Sequence, residues 1–222
     1  MKLNFNLNDP IHCYLLGYFW ADCYFGKPPA SKGYGFSFEI KEEDFLNIWD
    51  LLKTLGFWKY RTRLRKNSTT KQCAISLCKQ ESMEFFKAYN FHKKLDGCKL
   101  YFDLSENMKM FFIKGFLDGD GSISLHKNGS FRVSFNGDIN QNWDFLEDHF
   151  QVYGLKYAIY KKERISGNGK THRCSVVEVL KNENKKKFCE SLINSDIGLR
   201  RKMNVFYKWA NLPRKMHSFY FG

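Results

Sequence analysis

Phe112-Ile113-Lys114-Gly115-Phe116-Leu117-Asp118-Gly119-Asp120-Gly121 decides the fold, together with its echo Tyr14-Leu15-Leu16-Gly17-Tyr18-Phe19-Trp20-Ala21-Asp22-Cys23. Each is an apolar run with a glycine, a small residue four positions on, and then an aspartate. The interval is constant: 98 residues separate Gly17 from Gly115, and Asp22 from Asp120. In a helix, positions four apart share a face. Gly17 and Ala21 therefore form one bare stripe, and Gly115 and Gly119 another. A glycine inside a helix costs roughly 1 kcal/mol against alanine. Such stripes suit two helices whose backbones approach closely. The expectation is that the two helices pack stripe to stripe, with Asp22 and Asp120 brought together at their C-terminal ends.

A helix C-terminus carries partial negative charge and disfavours carboxylates. Two such ends with two aspartates make a concentrated negative site, and a hard divalent cation with oxygen ligands is the natural relief.

The rest of the composition narrows the class. A chain of 222 residues can bury one large core or two small ones. Aromatic residues make up 18% of it, with 22 Phe, which suits a packed interior. No apolar run reaches the length of a membrane span, and Met1-Lys2-Leu3-Asn4 opens without the apolar core of a signal peptide. The seven cysteines are scattered, with no Cys-x-x-Cys pair, so neither a disulfide framework nor a zinc site is expected. Reduced thiols, with Cys13, Cys73, Cys78 and Cys189 in apolar patterns, imply an intracellular protein. The net charge of +13 points first to nucleic acid and then to an anionic membrane surface.

The order of elements repeats as well. Asp9-Pro10 caps and opens the first motif helix. A loop or ragged hairpin covers 23–32, and 34–40 alternates as a strand. A helix over 42–55 ends at Gly56, strands follow at 58–65 and 72–78, and a helix at 81–89. The second half runs the same course: helix 108–120, a hairpin of 122–126 and 131–136 over an Asn-Gly turn, and helix 141–153 ended by Gly154. Strands 157–164 and 173–180 and helix 184–193 complete it, and 198–211 adds a last helix. The fold class is α+β: two pseudo-symmetric α-β-β-α-β-β-α repeats, each with a four-stranded antiparallel, saddle-like sheet backed by helices. The expected division is 1–91 for the first repeat, 92–106 as linker and 107–222 for the second.

The strands carry the charge. Residues 58–65 read Trp-Lys-Tyr-Arg-Thr-Arg-Leu-Arg, so Lys59, Arg61, Arg63 and Arg65 share one strand face. Such a row repels itself unless something anionic lies on it. Protective charge on an edge strand is the competing explanation. With one residue inserted after Gly154, the matching row is Ala158, Tyr160, Lys162 and Arg164; uninterrupted spacing instead selects Tyr157, Ile159, Lys161 and Glu163. Arg132, Ser134, Arg173 and Ser175 add donors. A basic sheet surface fits a DNA groove, where arginine can read guanine edges and phosphates make affinity salt-dependent. Single-stranded RNA is less favoured, because no aromatic ribonucleoprotein strand motif is present. Lys79 and Lys181 each leave a strand and enter a helix, and a lysine there can stabilise a phosphoryl transition state.

With these residues in view, the sequence resembles the LAGLIDADG homing endonucleases of the single-chain, two-motif kind. Ile113 to Gly121 is very close to the family pattern. Leu15 to Cys23 departs from it at Trp20, where an acidic residue is common, and at Cys23, where glycine is usual, but keeps the aspartate. The resemblance covers nearly the whole chain.

It implies a monomeric enzyme that needs no protein partner and cuts both strands of a long, asymmetric double-stranded DNA target across the minor groove, leaving 3′ overhangs. Asp22 and Asp120 would bind the metals, helped by the carbonyls at Ala21 and Gly119. Mg2+ or Mn2+ would support cleavage, and Ca2+ would bind without supporting it. Lys79 and Lys181 would be the peripheral basic residues. Water-positioning roles fall to Glu39 or Lys41 in the first half and to Asn136 or Asp138 in the second. An intron-splicing maturase, a non-cleaving DNA-binding protein and a strand-specific nickase are the other readings of the same scaffold.

Overall fold

The computed structural model describes residues 5–26, 35–56, 58–64, 71–77, 83–165, 171–193 and 197–212. The chain divides into two compact units, Met1–Gly119 and Asp120–Gly222.

In the first unit, helix α1 (Pro10–Asp22) leads into strands β1 (Tyr24–Gly26) and β2 (Gly35–Lys41), helix α2 (Glu42–Leu55), strands β3 (Lys59–Leu64) and β4 (Lys71–Leu77), and helix α3 (Met83–Ala88). Asp9 caps α1 as expected, its Oδ1 accepting the amides of Ile11 at 2.8 Å and His12 at 3.2 Å. The expected linker is itself structured: a 3-10 turn at Lys94–Asp96 and a short helix α4 (Lys99–Phe102) bury Cys98, Leu100, Tyr101 and Leu104. Helix α5 (Glu106–Gly119) closes the unit. It belongs with α1 because the bare stripes meet. A Cβ on Gly17 would collide with the carbonyl of Phe112, one on Gly115 with that of Tyr14, and one on Gly119 with the Ala21 side chain. The compact unit therefore ends after α5, and not at the 91/92 boundary that the repeat alone suggests.

The sheet has the order β1-β2-β4-β3, antiparallel throughout. Alternation puts Phe36, Phe38, Ile40, Cys73, Ile75 and Leu77 on the buried face. There an aromatic cluster forms the core: Phe36 stacks on Phe86 at 4.3 Å, and Phe19 meets Phe36 at 5.0 Å and Trp58 at 5.6 Å. Such pairs add about 0.5–1.5 kcal/mol each beyond their area.

The second unit repeats the plan with strands β5 (Gly121–Leu125) and β6 (Phe131–Asp138), helix α6 (Asp144–Val152), strands β7 (Tyr157–Ile165) and β8 (Thr171–Val179), and helices α7 (Asn182–Ile193) and α8 (Arg200–Ala210). Its sheet order, β5-β6-β8-β7, is the same. Phe135, Phe150 and Phe188 form the core between sheet and helices, with ring separations of 5.8 to 6.3 Å. Trp209 of α8 stacks on Phe131 at 4.3 Å. No helix among the described residues is long and apolar enough to cross a membrane.

Candidate active site and nucleic-acid interface

Helix α1 ends at an exposed Asp22. Its last carbonyls meet a lysine from the 3-10 turn: Lys94 Nζ donates to the carbonyls of Cys23 at 2.6 Å, Phe19 at 3.0 Å and Ala21 at 3.4 Å. An ammonium there offsets the negative end of the helix and so makes room for a carboxylate. The buried Tyr18 stands one turn before Asp22 in α1. Tyr14, another turn back, donates its hydroxyl to Asp118 at 2.9 Å. Burial first, and then these carboxylates, push both phenols well above their ordinary range, so both stay neutral donors. Asp118 is thereby a buried partner of α1. In the first motif the same place holds Trp20, which packs edge-on against Phe91 at 5.0 Å.

Asp120 follows the end of α5 and is half-buried. One residue on, the carbonyl of Gly121 accepts Lys202 Nζ at 2.7 Å, and Lys202 is itself buried in α8. Gly121 stands 98 residues after Cys23, so each motif has a lysine on the carbonyl one residue past its aspartate. Sequence reasoning missed both lysines. Of the two that it chose, Lys79 lies outside the described residues. Lys181 occupies a left-handed backbone position (φ 57°) at the β8–α7 junction, with its side chain 54% exposed and its ammonium 4.0 Å from Glu183. The lysine that reaches the second motif is Lys202. The clue lay in α8, where a cation occupies the buried face otherwise made by Met203, Phe206 and Trp209.

Among the described residues no group of three or more His, Cys, Asp or Glu is placed to hold a metal. A cation at the motifs would take single carboxylates, the carbonyls of Ala21 or Gly119, and otherwise water and substrate oxygens. That donor set fits magnesium, which keeps several waters and binds through one or two carboxylates plus phosphate. Cys23 does not disturb it: the thiol is buried and pushed up to about 11, chiefly by that burial, and the residue offers its carbonyl to Lys94.

The open sheet faces follow from the register. In the first unit Tyr24, Ser37, Ser76 and Lys59 form one row across four strands; Glu39, Ala74 and Arg61 form the next, and Lys41, Gln72 and Arg63 a third. Ser37, Glu39, Lys59, Arg61 and Ser76 line a shallow groove of about 290 Å³. Lys59 and Arg61 are exposed, whereas Tyr60 turns to the helix side against Phe45 at 4.7 Å and Trp49 at 4.8 Å. Arg65 and the side chain of Arg63 lie outside the described residues.

In the second unit Ser122, Ser134, Glu178 and Ala158 make the matching row, followed by Asn136, Val176 and Tyr160, and by Asp138, Cys174 and Lys162. The one-residue insertion therefore selects the right frame: Tyr160 and Lys162 are on the open face with Arg164's backbone, whose side chain lies outside the described residues. Tyr157, of the other frame, packs on Phe150 at 5.2 Å. Two expectations need correction. Arg173 has the opposite parity from Arg132 and Ser134 and pairs with Glu163 at 3.3 Å. Ser175 is buried, accepting from Trp143 Nε1 at 2.9 Å and donating to the Asp138 carbonyl at 2.6 Å. Arg132 is on the open face but held by Glu178 at 2.9 Å, and Ser134 is buried beneath its neighbours.

Comparison with known proteins agrees with this layout. Residues 107–192 match the family model of the LAGLIDADG-like domain. The structure is similar to that of I-DmoI in complex with DNA and calcium, with a TM-score of 0.56 and 17% identity, covering 94% of this chain and 96% of that one. A variant of I-DmoI with its target DNA in the presence of manganese has the same TM-score of 0.56 and identity of 17%, covering 85% and 96%. A variant of I-SmaMI matches with a TM-score of 0.57 at 14% identity, covering 95% of this chain and 92% of that one. The uncharacterized protein MJ0314 of Methanocaldococcus jannaschii is 21% identical over 164 residues, 72% of this chain; the chain spans only 60% of that relative's length. With its motif helices crossed on bare stripes and its sheets in one repeated order, the chain has the two-repeat LAGLIDADG fold, and its second half carries the LAGLIDADG-like domain.

Proposed function

We propose that the protein is a metal-dependent, site-specific endonuclease that cuts both strands of double-stranded DNA as a monomer, leaving 3′ overhangs at a long asymmetric target. The observation that supports this best is the duplicated constellation of aspartate and lysine, Asp22 with Lys94 and Asp120 with Lys202. Asp22 and Asp120 would hold divalent cations, with magnesium or manganese active and calcium inert. Such ions, when bound, supply Lewis acidity toward water and phosphate oxygens. The remaining work falls to the chain. Lys94 and Lys202 set positive charge beside each aspartate, where phosphate charge grows during cleavage. Lys59, Arg61, Tyr160 and Lys162 would bind the duplex on the sheet faces, and Glu39, Lys41, Asn136 and Asp138, all on those faces, would order water or read bases.

The charge distribution supports DNA on the sheets. Helix α2 presents Glu42, Glu43 and Asp50, and α6 carries Asp144, Glu147 and Asp148, so these two helices repel phosphate. Solved relatives in this fold are complexes with DNA, and a host that expresses its own DNA-cutting enzyme would keep it inside the cell. The test is plasmid cleavage with magnesium, using a target selected from a randomised library. Linear product is expected, and loss of all cutting in both Asp22→Asn and Asp120→Asn. Open circles alone would mean a nickase. Shifted but uncut DNA would mean a binding protein or maturase. Unchanged double-strand cutting by either variant refutes the assignment.

A further inference from the structure

On the second open face Arg132 Nη2 lies 2.9 Å from Glu178 Oε2. Glu178 pairs with Ser134, two residues after Arg132, so the two long side chains are diagonal neighbours on one face. The first sheet does without them. In its matching row Ser76 stands in the place of Glu178, and Gly35, two residues before Ser37, in that of Arg132. The fold therefore does not need the pair. Stability does not explain it either, because side chains 35% and 22% exposed make an ion pair of little worth. Nor does phosphate binding: the carboxylate cancels the charge that would draw a phosphate, while leaving the guanidinium its remaining donors.

What the pair supplies is direction. The Nε of Arg132 is buried, and Glu178 holds one terminal nitrogen. The main chain beside it is pinned from α7, where Lys185 Nζ donates to the Phe131 carbonyl at 2.8 Å. The neighbours on the face are small: Ser124 lies across from Arg132, and Ser134 and Ala158 flank Glu178. A guanidinium held at its stem and at one end presents a set fork. Ordering a long side chain before binding lowers the cost of binding. The partner that such a fork matches is the major-groove edge of guanine, where O6 and N7 accept side by side.

We propose that Arg132 reads a guanine in the half-site bound by the second sheet, with Glu178 as its positioning residue. This rests on the endonuclease reading for its duplex, but not on cutting. Arg132 then contributes little to general affinity and much to the choice of one base pair.

In the experiment, duplexes are enriched from a randomised library by binding in EDTA, so that cutting plays no part. Base preference at each position and the salt slope are measured for the wild type, Arg132→Lys and Glu178→Gln. The wild type is expected to prefer guanine at one position by about 5–150-fold, the range of a good bidentate contact. Arg132→Lys keeps the charge and loses the fork. Its preference there is expected to fall below about fivefold, with the other positions and the salt slope as in the wild type; those unaltered positions show that the variant is folded. Glu178→Gln keeps the shape and frees the arginine's charge. It is expected to weaken the same guanine preference several-fold and to steepen the salt slope by about 1. A base profile that Arg132→Lys leaves unchanged overturns the assignment to Arg132. A steeper slope with the guanine preference intact in Glu178→Gln overturns the positioning role and makes Glu178 a brake on charge alone. A wild-type protein that enriches no sequence sinks the duplex reading itself, and this one with it.

Discussion

Gly115→Ala adds one methyl group at the crossing of α1 and α5. On an exposed helix the change is favourable by about 1 kcal/mol. Here the new Cβ would run into the Tyr14 carbonyl and lie 2.8 Å from both the carbonyl carbon of Tyr14 and the amide nitrogen of Tyr18. Ordinary Cβ contacts begin at 3.4 Å. The obstacle is backbone on both sides, so no side chain can rotate away, and the helices must part by more than half an ångström. A gap of about 0.5–1 Å forfeits a quarter to a half of the dispersion energy of the atoms facing it. Those atoms belong to fully buried residues, Tyr14, Leu15 and Gly17 among them on α1 and Phe112 and Ile113 on α5. Overpacking costs about 1–3 kcal/mol and more where backbone must move; an unyielding site belongs at 3–4. Less the helix gain of about 1, the net loss is about 2–3 kcal/mol. For a chain of this size that lowers Tm by roughly 5–10 °C.

Thermal and urea unfolding of Gly115→Ala and Gly17→Ala measure it, with Gly154→Ala as a contrast. Gly154 has φ +60° and nothing within 4 Å of an added Cβ, so its cost is backbone strain alone, about 1–2 kcal/mol. A Gly115→Ala protein as stable as wild type, or more stable, refutes the close crossing on which the site depends.

Lys94→Met and Lys202→Met should each slow cleavage at least tenfold with little change in DNA affinity, while Lys181→Ala should leave the rate within twofold; single-turnover kinetics separate rate from binding. Lys59→Ala and Arg61→Ala should weaken binding across sequences and reduce the salt slope by about 1 each, as read by anisotropy at several salt concentrations. Arg132→Ala should do less, because Glu178 already holds that arginine. Stability should fall above pH 10: Tyr14 and Tyr18 keep their protons when folded, the unfolded chain releases them near their ordinary value of about 10, and the folded state then binds more protons, so raising pH favours unfolding. Tyr14→Phe should flatten that fall, measured as urea midpoints between neutral and strongly alkaline buffer.

Much of this was legible because it recurs at one interval. The spacing of Gly17 and Gly115 gives the crossing, and the β-parity of Lys59 and Arg61 gives the open face. Where parity was not applied, the reading failed: Arg173 was grouped with Arg132, although the pairing of Ser134 with Glu178 puts it on the other face. Lys94 and Lys202 escaped because they break the interval. They stand 108 residues apart, one from a turn in the expected linker and one from a helix added after the second repeat. Only folding brings each to its carbonyl.

The same backbone plan thus carries two different loads. The first repeat has the worn motif, with Trp20 and Cys23, yet it has a lysine on three carbonyls and an open sheet face with the exposed Lys59 and Arg61. The second has the intact motif, a lysine on the carbonyl of Gly121, and an open face where Arg132 is tied to Glu178 and Asp138 faces Cys174 and Lys162. Two identical subunits would be bound to present the same face twice, and symmetric binders pair with symmetric sites. Joined in one chain, the repeats are free to keep the crossing geometry, which cannot vary because it is set by backbone contact, while their faces diverge residue by residue. On the endonuclease reading that divergence is what an asymmetric target requires: a strongly cationic half-site contact on one side, and on the other a mixed face in which acceptors such as Asn136 and Asp138 have more to discriminate.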